Sequence, residues 1–141
     1  MSNEFEQISL KPGFMKHNGG ILFKTVSENE YQFKTTIKDN HLNSAGITHG
    51  GFISALVDAG AGTAAHKAAD NNICVTISLE LKFISPVQLG QELLGRTKIQ
   101  KKTKSMIFLT CELIADDKIV ATASGVWKIL NRKLSQTRVG G

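Results

Sequence analysis

The chain has 141 residues, a net charge of +5, 41% hydrophobic residues and 21% charged residues. This is the size and make-up of one globular domain, burying about 68–70% of its unfolded surface. The basic residues are dispersed, the tightest group being Lys98, Lys101, Lys102 and Lys104, and a single Trp and a single Tyr supply no set of stacking platforms. That pattern argues against nucleic-acid binding and favours a small anionic partner. Cys74 and Cys111 lie far apart in strand-like apolar runs with no metal or redox spacing, as expected for buried thiols in a reducing compartment. The opening MSNEFEQ is acidic and polar, unlike a secretory leader. The apolar stretch Ile47–Ala69 is broken by His49, Asp58, His66 and Lys67, so no membrane span is expected. A cytoplasmic, single-domain protein is the expectation.

In chain order, residues 1–19 are punctuated by Pro12, Gly13, Gly19 and Gly20 and read as irregular, with a short helix possible around Glu4–Leu10. Strand-like runs follow at Ile21–Val26 and Tyr31–Ile37, joined by the polar turn Ser27–Glu30. A loop rich in Asn, Ser, Gly and His covers Asp39–Thr48. The segment from His49 to about Ala69 is the one long helix, with Thr48 placed to cap it. His66 and Lys67 near its end suit the negative end of the helix dipole. Its Ala, Leu, Ile, Val and Gly content implies burial on most sides, and Gly60 and Gly62 imply that another backbone passes close by.

Beyond the helix the period changes to two. Val75, Ile77, Leu79, Leu81 and Phe83 alternate with Thr76, Ser78, Glu80 and Lys82, a half-buried strand. Further strands are expected over Glu92–Gln100, Ser105–Ala115 and Ile119–Leu130, with turns at Lys101–Lys104 and Asp116–Lys118. Residues 131–141 read as a flexible tail. Two strands, one apolar helix and four more strands make an α+β domain whose sheet, of about six strands, must curl around the helix.

Over about residues 40–130 this pattern resembles the hotdog-fold acyl-CoA thioesterases of the phenylacetate-pathway (PaaI-type) and human thioesterase superfamily kind. The strongest part is NSAGITHGGFISALVD, Asn43 to Asp58: Asn43 precedes His49 by six positions and Asp58 follows it by nine. FISPVQLGQ resembles the family's strand-to-turn segment, with Gln91 where an aspartate is frequent. The resemblance implies a hotdog fold and hydrolysis of an acyl-CoA to a carboxylate and free CoA. It also implies a homodimer or dimer of dimers whose sites are shared between chains, and no cofactor, since coenzyme A is part of the substrate.

The chemistry needs an oxyanion stabiliser and an activated nucleophile. The exposed N–H groups of a helix start can polarise a carbonyl, and Gly50 has no side chain to keep a substrate away. By resemblance the Gly50 amide is the thioester-oxygen donor, beside Gly51; taken alone, the two glycines would permit a tight loop-to-helix junction. Asp58 has only Ser54, Ala55, Ala61 and Gly62 at helical spacing, so a carboxylate there is unpaired and its desolvation would raise its pKa. Its implied role is general base or nucleophile, the two remaining open, against a structural ion pair. Asn43 would position the attacking water or the thioester, or simply make a turn. His49 would hold loop and substrate in place. Thr76 matches a position where relatives carry a hydroxyl near the acid, or is an ordinary strand threonine. Lys101, Lys102 and Lys104 could meet the phosphates of CoA, or form a solvated turn. No metal cluster is legible. The rival readings are a non-catalytic hotdog domain that binds an acyl thioester, and a hotdog dehydratase or hydratase, whose local pattern around the histidine differs.

Overall fold

A computed structural model describes residues 4–133. In chain order the elements are β1 (Glu6–Gln7), α1 (Phe14–His17), β2 (Leu22–Thr25), β3 (Glu30–Thr36), a 3-10 turn (Asp39–His41), α2 (Gly50–Ala68), β4 (Asn72–Phe83), β5 (Glu92–Lys102), β6 (Met106–Ala115) and β7 (Lys118–Lys133). The seven strands form one sheet in the order β1-β2-β3-β5-β6-β7-β4, and every pair is antiparallel. The sheet curves around α2, which touches β3 to β7. This is the α+β hotdog arrangement.

Leu56, Val57, Ala61, Ala64 and Ala65 of α2 are 0% exposed. They pack on Phe33, Leu93, Ile107, Leu113 and Trp127 from the sheet's inner face. The glycines inside α2 are there for aromatic rings rather than for a passing backbone. A Cβ on Gly60 would lie 2.4 Å from the Phe33 ring, and one on Gly95 of β5 would lie 2.2 Å from the same ring. Phe33 is thus clasped between two glycines. Trp127 is seated likewise over Gly125, where a Cβ would meet its ring at 2.4 Å. Each ring fills the space that two Cβ atoms would otherwise occupy, so the cost of glycine in a helix is offset by close aromatic packing.

Four expectations need correction. Glu6–Gln7 of the Glu4–Leu10 segment form a short strand pairing with Phe23 and Leu22, and the helical turn comes later, at α1. The cap of α2 is His49, whose side chain accepts from the Gly51 N–H. Thr48 instead donates its hydroxyl to the Val87 carbonyl. The strict alternation expected of β4 is broken by a bulge between Thr76 and Ser78. Asn131–Lys133 belong to β7, with Lys133 paired to Asn72; the remainder of the expected tail lies outside the described residues.

Candidate active site

The segment leading into α2 is pinned from three sides. Asn43 folds it into a turn, its Oδ1 accepting the N–H groups of Ala45 (2.9 Å) and Ile47 (3.3 Å). His41 is buried, and its ring stacks on Phe52 of α2 with centroids 3.8 Å apart. Its Nδ1 accepts the Lys38 N–H, so Nε2 carries the proton in the neutral ring and donates to the Asn18 carbonyl. The His41 carbonyl in turn accepts the His49 N–H at 2.8 Å. His41 therefore ties the N-terminal segment, the Asn43 loop and the start of α2 together. No spacing rule singles it out in the sequence, because its partners are backbone groups of Asn18 and Lys38.

At the helix start, His49 Nδ1 takes the Gly51 N–H at 2.8 Å. A Cβ on Gly51 would sit 2.9 Å from that nitrogen, so the cap requires glycine there. Gly51 is thereby committed to the cap and has no N–H left for a ligand. Gly50 differs: no hydrogen bond among the described residues engages its N–H. It lies at the positive end of a 19-residue helix, where an unshared amide attracts a developing oxyanion. Gly50 lines a groove of about 310 Å³ with Asn43, Ile53, Phe83, Ile84 and Pro86. Since the loop uses Asn43 Oδ1, its Nδ2 is left as a donor on the same groove.

Asp58 lies elsewhere. It stands on the stripe Gly51, Ala55, Asp58 and Gly62, the lengthwise strip of α2 that its own sheet leaves partly uncovered. The carboxylate is exposed in the single chain, so the desolvation expected from the apolar sequence around it does not operate within this chain. It is not unpaired either, because Thr76 Oγ1 donates to Asp58 Oδ1 at 2.7 Å. The β4 bulge makes this contact possible. Thr76 lies opposite the buried Trp127 and so faces α2, whereas unbroken alternation with Leu79 and Leu81 would turn it away.

The candidate residues therefore fall into two groups, Asn43 with Gly50 on one groove and Asp58 with Thr76 elsewhere. Eight residues of helix separate Gly50 from Asp58, about 12 Å of rise, too far for both to act on one carbonyl carbon within a chain. The lysines fall further away. Lys102 Nζ donates to the Ala68 carbonyl and to Asp70 Oδ2 at the C-terminal end of α2, the opposite end from Gly50. Lys102 serves there as a helix-end partner, while Lys101 and Lys104 are exposed. His66 is buried, bonds the Asn72 carbonyl through Nδ1 (2.8 Å), and is held below the usual imidazole value chiefly by burial. It fastens the helix end to β4 rather than presenting a cation to the dipole. Among the described residues no group of three or more His, Cys, Asp or Glu could hold a metal ion, and no helix is long and apolar enough to cross a membrane.

A hotdog sheet around one buried helix, with a free amide at the helix start and an acid on its uncovered stripe, defines the class of protein. The sequence profile of the Thioesterase superfamily matches residues 45–122. A Pseudomonas aeruginosa protein that carries an esterase name is 34% identical over 94 residues, covering 66% of this chain and 70% of its own length. The chain belongs to the Thioesterase superfamily. The PaaI protein of the E. coli phenylacetic acid degradation operon superposes with a TM-score of 0.78 at 20% identity, over 85% of this chain and 86% of that one. A Streptococcus mutans protein solved with acetyl CoA superposes at 0.73 with 18% identity, over 79% of this chain and 90% of that one.

Proposed function

We propose that the protein is a cytoplasmic acyl-CoA thioesterase that works as a homodimer or a dimer of dimers, with each site built from two chains. The observation that carries this reading is the unshared Gly50 N–H at the positive end of α2, opening into a groove that Asn43 also lines. The thioester oxygen accepts from Gly50, and Asn43 Nδ2 holds the substrate or the water beside it. Asp58 of a second chain, aimed by its Thr76, supplies the carboxylate. As a base it takes a proton from water while the hydroxide adds to the carbonyl carbon. The C–S bond then breaks, and the thiolate leaves and takes up a proton. As a nucleophile it would form a mixed anhydride that water cleaves.

Assembly is supported by β4, which lies at the sheet edge with β7 as its one neighbour. Its twelve residues carry Val75 at 42% and Ile77 at 55% exposure. A long edge strand with exposed apolar side chains suits pairing with another strand, and pairing there would bring a second copy beside Asp58. The neighbour solved with acetyl CoA supports a CoA thioester as ligand.

Thiol release from short, long and aromatic acyl-CoAs tests the reaction. Turnover of at least one is expected, with no added metal or cofactor. Tight binding of acyl-CoA without thiol release would favour a non-catalytic binding domain. Hydroxylamine trapping and turnover in ¹⁸O-water test the nucleophile role: an Asp58 hydroxamate, or label in its carboxylate when water opens the mixed anhydride at the aspartyl carbon, assigns Asp58 as nucleophile.

A further inference from the structure

Trp127 is 1% exposed, yet no hydrogen bond engages its indole Nε1–H. Among the described residues, Thr97 Oγ1 is the one enclosed side-chain polar atom that lacks a partner. Trp127 Nε1 is therefore not fully sealed, although the residue as a whole is buried. It faces Gly62, where a Cβ would stand 3.3 Å from Nε1. Gly62 is half-buried, whereas Gly60 is buried under Phe33. Gly62 thus leaves a notch with an unused donor at its floor. The notch is one helical turn from Asp58, about 6 Å along the axis, and Trp127 lies directly opposite Thr76 in the sheet. The same stretch of surface holds the acid, its hydroxyl partner and the free indole N–H.

We infer that Trp127 is a specificity-determining residue: its Nε1–H binds a neutral oxygen, hydroxyl or keto, on the acyl group, admitted by the missing side chain of Gly62. The inference rests on the thioesterase reading, since it places the acyl carbonyl against Asp58. An indole N–H only donates, so its partner must be an acceptor. The carboxylate one turn away repels an anionic acceptor, which leaves a neutral one. From a carbonyl held at Asp58, an oxygen on the second or third acyl carbon reaches the notch. An acyl group without it leaves the donor to water.

The test separates binding from hydrolysis. In the Asp58→Asn protein, titrations with butanoyl-CoA, 2-hydroxybutanoyl-CoA, 3-hydroxybutanoyl-CoA and 3-oxobutanoyl-CoA are followed by calorimetry and by fluorescence of the chain's single tryptophan. At least one oxygenated chain is expected to bind about 3–10-fold tighter than butanoyl-CoA, the range for one neutral hydrogen bond. Replacing Trp127 with β-(3-benzothienyl)alanine, which keeps the ring shape and removes the N–H, should abolish that preference and leave the Kd of butanoyl-CoA unchanged. Gly62→Ala, which fills the notch, should do the same. Equal affinities in the parent, or losses that fall equally on plain and oxygenated chains, overturn the inference. Thiol release by the wild-type chain is scored separately, so failure of the hydrolase reading is seen on its own.

Discussion

Asp58 and Thr76 form a pair that neither helical spacing nor strand alternation displays, because one residue sits on α2 and the other beyond a β-bulge on β4. The acid itself stands out in the sequence as a lone carboxylate among apolar residues. Its exposure and its bond to Thr76 depend on which stripe of the helix the sheet leaves open. Asp58→Asn is expected to lower kcat by about 10²–10⁴ with the melting temperature unchanged, since an exposed carboxylate contributes little to folding. Retention of a third or more of wild-type kcat would remove Asp58 from the chemistry. Thr76→Val should keep the fold but let the carboxylate rotate, lowering kcat more than it raises KM. The glycines give a stability contrast on one helix. Gly60→Ala forces a Cβ to 2.4 Å from the Phe33 ring and is expected to cost about 1–3 kcal/mol. Gly62→Ala meets only the edge of Trp127 at 3.3 Å and should cost less. Denaturant midpoints of the two variants check the order.

At the scale of elements, α2 and the strand runs were legible because their periods are strong, and the two-residue turn Asp116-Asp117, with φ of 49° and 63°, fell where the polar cluster indicated. The cap and the bulge were not legible. Thr48 and His49 both directly precede the helix that starts at Gly50, and the choice between them is decided by the Val87 carbonyl, 39 residues from Thr48. The bulge at Ile77 leaves an apolar residue facing outward, which an alternation rule assigns to the core. The end of α2 carries a pH dependence. Burial lowers the pKa of His66 below its ordinary value of 6.5, so as pH falls through that value the unfolded chain takes up the proton first. Stability is then lost progressively until the folded value is passed. His66→Asn, which retains a donor for the Asn72 carbonyl, should flatten melting temperature against pH below about pH 6.5. An unchanged acid limb would assign the loss to other groups. The thiols stay protonated well above neutrality, Cys74 raised to about 11 and Cys111 to about 12, both chiefly by burial. Neither should react with a disulfide reagent at pH 8 until the chain unfolds, and a native protein that titrates a thiol would contradict this.

For the whole molecule, the sequence pattern led to a helix-wrapping sheet, and the register Asn43–His49–Asp58 led to the family. Within one chain the two groups of candidate residues, Asn43 with Gly50 and Asp58 with Thr76, do not meet. Gly50 and Asp58 lie about 12 Å apart along α2. In the proposed thioesterase a second copy completes each site, and the open edge of β4 is the proposed meeting place of the two chains. The measurement that bears most directly on this mixes two inactive variants, Asn43→Ala and Asp58→Ala, denatured and refolded together in equal amounts. Random pairing makes about half the dimers mixed, each with one intact site and one doubly damaged site. After correction by wild-type protein taken through the same cycle, the mixture is expected to regain about a quarter of wild-type activity. If native mass measurement confirms mixed dimers and activity does not rise above that of the separate variants, the site is not shared between chains.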